Sequence, residues 1–157
     1  MSLSIEELET IIKECYEAAF EVDPEEGKVA DYIPQLQKVN PDLYGVSFCD
    51  INGRMFKCGD TSHLFSLQSM SKPLAYCLAR VLEEEQDTDV HKHVGYEPSG
   101  RAFNEFVLNG DGLPHNPLIN SGAIMVASLI RPQKEPAHRY ETIMNFFSKM
   151  AGHNQGK

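Results

Sequence analysis

The chain has 157 residues, 41% hydrophobic and 24% charged, an ordinary composition for a globular domain long enough to build a real core. Its formal net charge of −9, from 23 acidic and 14 basic residues, argues against a nucleic-acid partner, which needs a basic face. No apolar run is long enough to span a bilayer, and Met1-Ser2-Leu3-Ser4 lacks the basic and apolar regions of a signal peptide, so no membrane role and a cytoplasmic location are expected, a mature mitochondrial form having the same appearance.

Ser4-Ile5-Glu6-Glu7 has the pattern of a capping box. Leu8, Ile11, Ile12, Cys15 and Ala19 follow at helical spacing, which predicts an amphipathic helix from residue 5 to about 20. A polar loop is expected from Asp23 to Lys28, and Pro34 should break regular structure at Tyr32-Ile33. Leu43 to Asp50 alternates as a strand. Asn52-Gly53 predicts a two-residue hairpin turn, with Arg54 to Cys58 returning as the partner and Cys49 opposite Phe56.

A second helix is expected from Ser69 to about Glu84, with Pro73 confined to its first turn, where a missing N–H costs little. Glu83 to Asp87 reads as a solvated acidic loop. Val94 to Pro117, rich in Gly, Pro and Asn, is long for a passive connection and suggests a site-lining loop, with a helical patch near Phe103 to Leu108. Asn120 to Leu129 predicts a buried helix. Tyr140, Ile143, Met144, Phe147 and Met150 predict a last amphipathic one, capped by Gly152. The four cysteines form no CxxC pair and are expected to be buried free thiols. His91-Lys92-His93 has no acidic or cysteine ligand at matching spacing, so no metal is expected.

The chemistry concentrates in Gln68-Ser69-Met70-Ser71-Lys72-Pro73. Serine and lysine three apart at a helix start share one face, so the hydroxyl and the amine can meet. Serine is a weak nucleophile that needs a neighbouring base, and lysine can be that base. Free N–H groups and the positive dipole end at a helix start suit a developing oxyanion. The competing reading makes Ser69 an N-cap and Lys72 a solvated charge. A second candidate is Pro114-His115-Asn116-Pro117 through Asn120-Ser121-Gly122-Ala123. There Asn120 either presents an amide that donates and accepts, or simply caps the helix.

Together these segments resemble the serine-dependent glutaminases, a family related in fold to β-lactamases and penicillin-binding proteins. The resemblance runs from about Val29 to Gly152. It rests on Asp31-Tyr32-Ile33-Pro34-Gln35-Leu36, Gly59-Asp60, Phe65 to Lys72, Glu97-Pro98-Ser99-Gly100, Phe103-Asn104, His115-Asn116-Pro117 and Asn120-Ser121-Gly122-Ala123-Ile124. Lys72-Pro73-Leu74 and Lys149-Met150-Ala151-Gly152 look most like the animal-type branch.

The resemblance implies an α+β fold of the β-lactamase/transpeptidase type, an antiparallel sheet with a helical subdomain. Residues 1–157 would form the N-terminal portion of a single catalytic domain whose C-terminal portion is absent. It implies hydrolysis of L-glutamine to L-glutamate and ammonia, with Ser69 as nucleophile and Lys72 as general base. Tyr32 would lie near the nucleophile, holding substrate or relaying a proton. Gln68 would contact substrate, and Asn120 would bind its α-carboxylate end. The Ser69 N–H would supply one oxyanion donor, and Glu97 to Pro114 would correspond to a gating segment. No cofactor is implied, and the expected partners are L-glutamine, further copies in a homo-oligomer and the missing C-terminal half. That half would supply a glutamate and an asparagine for the substrate's amino-acid end, two tyrosines, a lysine-serine-glycine strand and the second oxyanion donor. The alternatives are a β-lactam-acylated hydrolase or transpeptidase sharing the serine-lysine pair, and a non-catalytic oligomerising fragment.

Overall fold

The computed structural model describes residues 3–21 and 27–152. Contacts divide the chain into two compact units, Met1–Phe65 and Ser66–Lys157.

The first unit packs helix α1 (Ile5–Phe20) on an antiparallel hairpin, β1 (Gly45–Cys49) and β2 (Met55–Gly59). The capping box forms: Ser4 Oγ accepts the Glu7 N–H at 3.1 Å, and the Glu7 carboxylate accepts the Ser4 N–H at 2.8 Å. The buried stripe is narrower than the sequence pattern suggests. Ile12 is buried while Ile11 and Cys15 are exposed. The stripe continues through Tyr16, whose ring stacks on Tyr44 at 4.7 Å, so an aromatic contact does the work expected of Cys15 and Ala19. The break at Tyr32-Ile33-Pro34 is a turn leading into a 3-10 turn at Leu36–Lys38. The loop expected at Asp23 to Lys28 falls largely outside the described residues.

The hairpin turn differs from the two-residue expectation. Cys49 pairs with Met55, Phe48 with Phe56 and Val46 with Cys58, a register one residue away from the predicted one. The physical reason is Asp50. Its carboxylate accepts the N–H groups of Asn52 at 2.9 Å and Arg54 at 2.8 Å and bonds the Arg54 guanidinium. The Gly53 N–H closes a turn onto the Asp50 carbonyl at 3.0 Å, and Gly53 alone takes a positive φ, +79°. This is a three-residue connection ending in a left-handed glycine. A two-residue type I′ turn would need Asn52 left-handed as well. Because side chains alternate across a strand, the shift decides that Phe56 is the buried residue of β2.

The second unit is helical. The helix expected from Ser69 to Glu84 is three pieces: a 3-10 turn at Gln68–Met70, α2 (Ser71–Val81) and α3 (Glu83–Gln86), stopped by Asp87 in a left-handed conformation. The acidic run is therefore a helical turn, and two of its carboxylates are engaged. Glu83 accepts the Val90 N–H and Arg80, and Glu85 pairs with Arg131. The Arg131 hydrogen bonds hold the Glu85 carboxyl below its ordinary range and raise the guanidinium in turn. Helices α4 (Asn120–Leu129) and α5 (Pro136–Met150) stand as expected, and Gly152 follows α5 at φ +81°. The core joins Leu78, Ala79 and Leu82 of the α2 segment to Val126 and Ile130 of the α4 segment, with Val90 and Val94 between them.

His91-Lys92-His93 belongs to a 3-10 turn at Val90–Lys92, and the His91 ring is bonded to Tyr76 at 2.8 Å and to the Val94 carbonyl at 3.0 Å. No helix forms at Phe103 to Leu108. The Asn109 side chain accepts the N–H groups of Asp111 and Leu113, turning the chain back so that Leu108 bridges Pro114. Cys15, Cys49 and Cys77 are exposed and Cys58 half-buried, so these free thiols are not the buried groups expected. Among the described residues no helix is long and apolar enough to cross a membrane, and no three His, Cys, Asp or Glu side chains gather as metal ligands.

Burial raises the Asp50 pKa, but the donated hydrogen bonds from Arg54 and Asn52 outweigh it and bring the carboxyl below its ordinary 3.8. A folded-state pKa below the unfolded one gives stability that is full above the unfolded value and is lost as pH falls through the folded one. Asp50→Ala is expected to lower the melting temperature by a few degrees at pH 7, and the gap to the unsubstituted chain should narrow as pH falls below the ordinary 3.8. Thermal melts followed by circular dichroism over a pH series from 7 downward check this, and a gap that stays constant or widens as the pH falls counts against the charge-based account.

Candidate active site

Helix α2 begins at Ser71, so Ser69 sits in the preceding 3-10 turn rather than in the helix itself. Gln68, immediately before it, has φ +46°, a left-handed conformation that costs a non-glycine residue of order 1–3 kcal/mol. Local bonds hold it there. The Ser71 hydroxyl donates to the Gln68 carbonyl at 2.8 Å, and the Gln68 amide donates to Ser66 Oγ at 3.0 Å. Ser69 is exposed, and among the described residues its N–H has no hydrogen-bond partner. A reachable hydroxyl thus stands beside a free N–H at the start of a helix.

Lys72 is the second residue of α2 and is half-buried. Its Nζ donates to the Leu118 carbonyl at 3.0 Å and to Asn120 Oδ1 at 2.7 Å, and it lies 5.9 Å from the centre of the Phe103 ring. Its hydrogen bonds go to these two acceptors rather than to Ser69. Asn120 is the first residue of α4; the N-cap is Ile119, and no side chain caps this helix. The cap position is therefore not what Asn120 serves. Its N–H donates to the Phe103 carbonyl at 3.0 Å, and its side chain meets Lys72. Two residues far apart in sequence, Lys72 and Asn120, are thus brought into direct contact. Tyr32 belongs to the first unit, where it lies in a turn with 75% of its surface exposed.

A cavity of about 430 Å³ lies beside the start of α4. Asn104, Phe106, Leu108 and Pro114 of the long loop line it together with Asn120, Ser121 and Ile124, and the Ser121 hydroxyl is buried without a hydrogen-bond partner. The loop thus reaches this cavity, which meets Asn120 but neither Ser69 nor Lys72.

Three participants carry no role in the sequence reading: the Leu118 carbonyl, the Phe103 ring and Asn116. A backbone carbonyl leaves no trace in a sequence. Asn116 does leave one, since asparagine before proline favours a side-chain turn onto the following N–H groups. Its Oδ1 accepts those of Leu118 and Ile119.

A family model described as Glutaminase matches residues 27–157. The chain belongs to the glutaminase family. Among curated glutaminases it is 47% identical over 131 residues to the mouse (Mus musculus) protein named glutaminase liver isoform, mitochondrial, covering 83% of this chain and 21% of that protein. To the glutaminase of Corynebacterium glutamicum it is 43% identical over 131 residues, covering 83% of this chain and 31% of that protein. Among solved structures, the probable glutaminase ybaS matches with a TM-score of 0.79 at 29% identity, over 95% of this chain and 47% of that one. Mglu in its glutamate form matches with a TM-score of 0.71 at 36% identity, over 80% and 29%. The mixed fold of helices and an antiparallel strand pair is thus a glutaminase fold seen in part. The chain spans a fifth to a third of the length of these two curated relatives.

Gly122 of the glutaminase segment at α4 faces the Asn116 carbonyl so closely that an added Cβ would lie 1.8 Å from its oxygen. The obstacle is backbone, which cannot swing aside. Gly122→Ala is expected to destabilise the chain by about 1–3 kcal/mol, measured as a lower urea midpoint at unchanged slope. A midpoint equal to that of the unsubstituted chain would show that the Pro114–Ile119 segment yields easily.

Proposed function

We infer that this chain carries the nucleophile and base of an enzyme that hydrolyses L-glutamine to L-glutamate and ammonia through a glutamyl ester on Ser69. The reading rests on membership of the glutaminase family and on one local observation, the doubly held Lys72 amine one turn from an exposed serine. To act as the base, Lys72 must give up one proton of its ammonium group, which leaves two N–H bonds and one lone pair. The Leu118 carbonyl and Asn120 Oδ1 occupy two donors, which leaves the lone pair for the Ser69 proton.

In this reaction Ser69 Oγ attacks the side-chain amide carbon as Lys72 takes the hydroxyl proton. The free Ser69 N–H stabilises the oxyanion. The carbon–nitrogen bond then breaks, the proton leaves with the nitrogen as ammonia, and water cleaves the ester to give glutamate and restore the hydroxyl. Gln68 lies against the substrate from the neighbouring position. Asn120 keeps its Oδ1 on Lys72 while its amide N–H groups reach the α-carboxylate end. The solved relative named in its glutamate form carries the product of this reaction in its name. The family match favours this reading over the β-lactam-acylated alternative.

The grip on the substrate's amino group and the second oxyanion donor come from the C-terminal portion of the same catalytic domain. We place the enzyme in the cytoplasm, with a mature mitochondrial form as the alternative given the mouse relative's name, and as a homo-oligomer.

In the full-length enzyme, Ser69→Ala should abolish ammonia release with the fold intact, and Lys72→Ala should be comparably severe. Asn120→Ala should lower kcat/KM by more than the roughly ten- to a hundredfold of a single hydrogen bond to a charged group, since it removes both the contact to Lys72 and the one to the α-carboxylate. Substantial turnover by Ser69→Ala sinks the assignment.

Residues 1–157 expressed alone should release no ammonia, since losing one oxyanion donor alone costs roughly a hundred- to a thousandfold in rate. A well-behaved isolated chain that turns over glutamine would show that these residues build a complete site.

A further inference from the structure

The lysine's two acceptors sit on a short segment, Leu118 to Asn120, that has no helix or strand ahead of it. Something must fix that segment to better than an ångström, because a misplacement of that size costs about a hundredfold in rate. The side chain of Asn116 is the group placed to do so. Its Oδ1 accepts the Leu118 N–H at 3.0 Å and the Ile119 N–H at 3.2 Å, and its Nδ2 donates to the Glu97 carbonyl at 3.0 Å. The two ends of the long loop meet at the same place. The Gly95 N–H donates to the Pro114 carbonyl at 2.8 Å, and the Glu97 N–H donates to the His115 carbonyl at 3.1 Å. The Asn116 carbonyl is pressed against Gly122, and Pro117 is buried.

We propose that Asn116 is a positioning residue for the glutamine hydrolysis, which orients the Leu118 carbonyl and the Asn120 amide so that they aim the Lys72 lone pair at Ser69. It touches neither substrate nor the reacting atoms. The proposal rests on the reading of Lys72 as the base. A terminal amide on a single methylene can both accept two adjacent N–H groups and donate back to Glu97. Aspartate keeps the two acceptor contacts and loses the donor, whereas alanine loses all three. The chemistry therefore predicts a graded series.

The test measures ammonia release by the full-length enzyme carrying Asn116→Ala, Asn116→Asp, Lys72→Ala or Asp89→Ala. Asp89 is a control of the same kind outside the site, with its carboxylate accepting the His91 N–H at 2.9 Å. Asn116→Ala should lower kcat about ten- to a hundredfold while KM for glutamine stays within about threefold. Asn116→Asp should recover most of that loss, and Asp89→Ala should leave both constants unchanged. If Asn116→Ala does not fold, the Asp variant decides: kcat within about tenfold of the unsubstituted enzyme supports the proposal, and a kcat as low as that of Lys72→Ala overturns it. An Asn116→Ala enzyme with unchanged kcat overturns it, as does an Asp variant no better than the Ala one. Full activity of Lys72→Ala would instead remove the reading of the base itself, which separates the two failures.

Discussion

The hydrogen bonds that pin the Lys72 amine to the Leu118 carbonyl and Asn120 Oδ1 join the first turn of α2 to the first residue of α4. They cross nearly fifty residues of chain, and they depend on almost everything in the second unit. Leu78 and Ala79 of α2 pack with Val126 of α4, which sets the distance between the two helix starts. A lysine on a flexible four-carbon stem loses considerable rotamer freedom when held at one point. A packed helix pair that already brings donor and acceptors together is what makes that ordering affordable.

Further supports act from the opposite end of α4. The far end of α4 is tied by Arg139, which donates to the carbonyls of Ala127, Ser128 and Ile130, and by Gln86, which bonds Leu129 and Arg131. These contacts satisfy carbonyls that a helix terminus otherwise leaves unpaired. They hold α4 against sliding along its axis, a motion that would carry Asn120 away from Lys72. The pairing of Glu85 with Arg131 lies at this far end, so the acidic run that looks like plain solvated surface in the sequence helps brace the helix.

The elements were legible wherever the signal was local. The capping box at Ser4, the helix over Asn120 to Leu129 and the helix ending at Met150, just before Gly152, follow from residues within a few positions of one another. The misreadings came where a side chain competes with the backbone. Asp50 captures the N–H groups of Asn52 and Arg54 and turns an expected two-residue hairpin into a three-residue one. Asn109 does the same at Asp111 and Leu113 and turns the chain back just after Leu108. At the site, the residue types were legible but the pairing was not. Serine and lysine three apart suggest contact with each other, whereas the lysine is bonded to an amide 48 residues away. No periodicity encodes a contact of that span; it exists only once α2 and α4 are packed.

The strain at Gln68 follows from the same geometry. One left-handed residue at Gln68 opens the 3-10 turn that carries Ser69 ahead of α2, which starts two residues after Ser69 with Lys72 in its first turn. The cost falls on a non-glycine residue, and a glycine there would relieve it. Glycine would also loosen the turn in both directions and remove the Gln68 amide that bonds Ser66. A strained residue locked by the Ser66 and Ser71 hydroxyls gives a fixed nucleophile position, and a fixed nucleophile is useful only beside an equally fixed base. The left-handed turn at Gln68 and the double hold on Lys72 are therefore two halves of one requirement, met on adjoining stretches of chain.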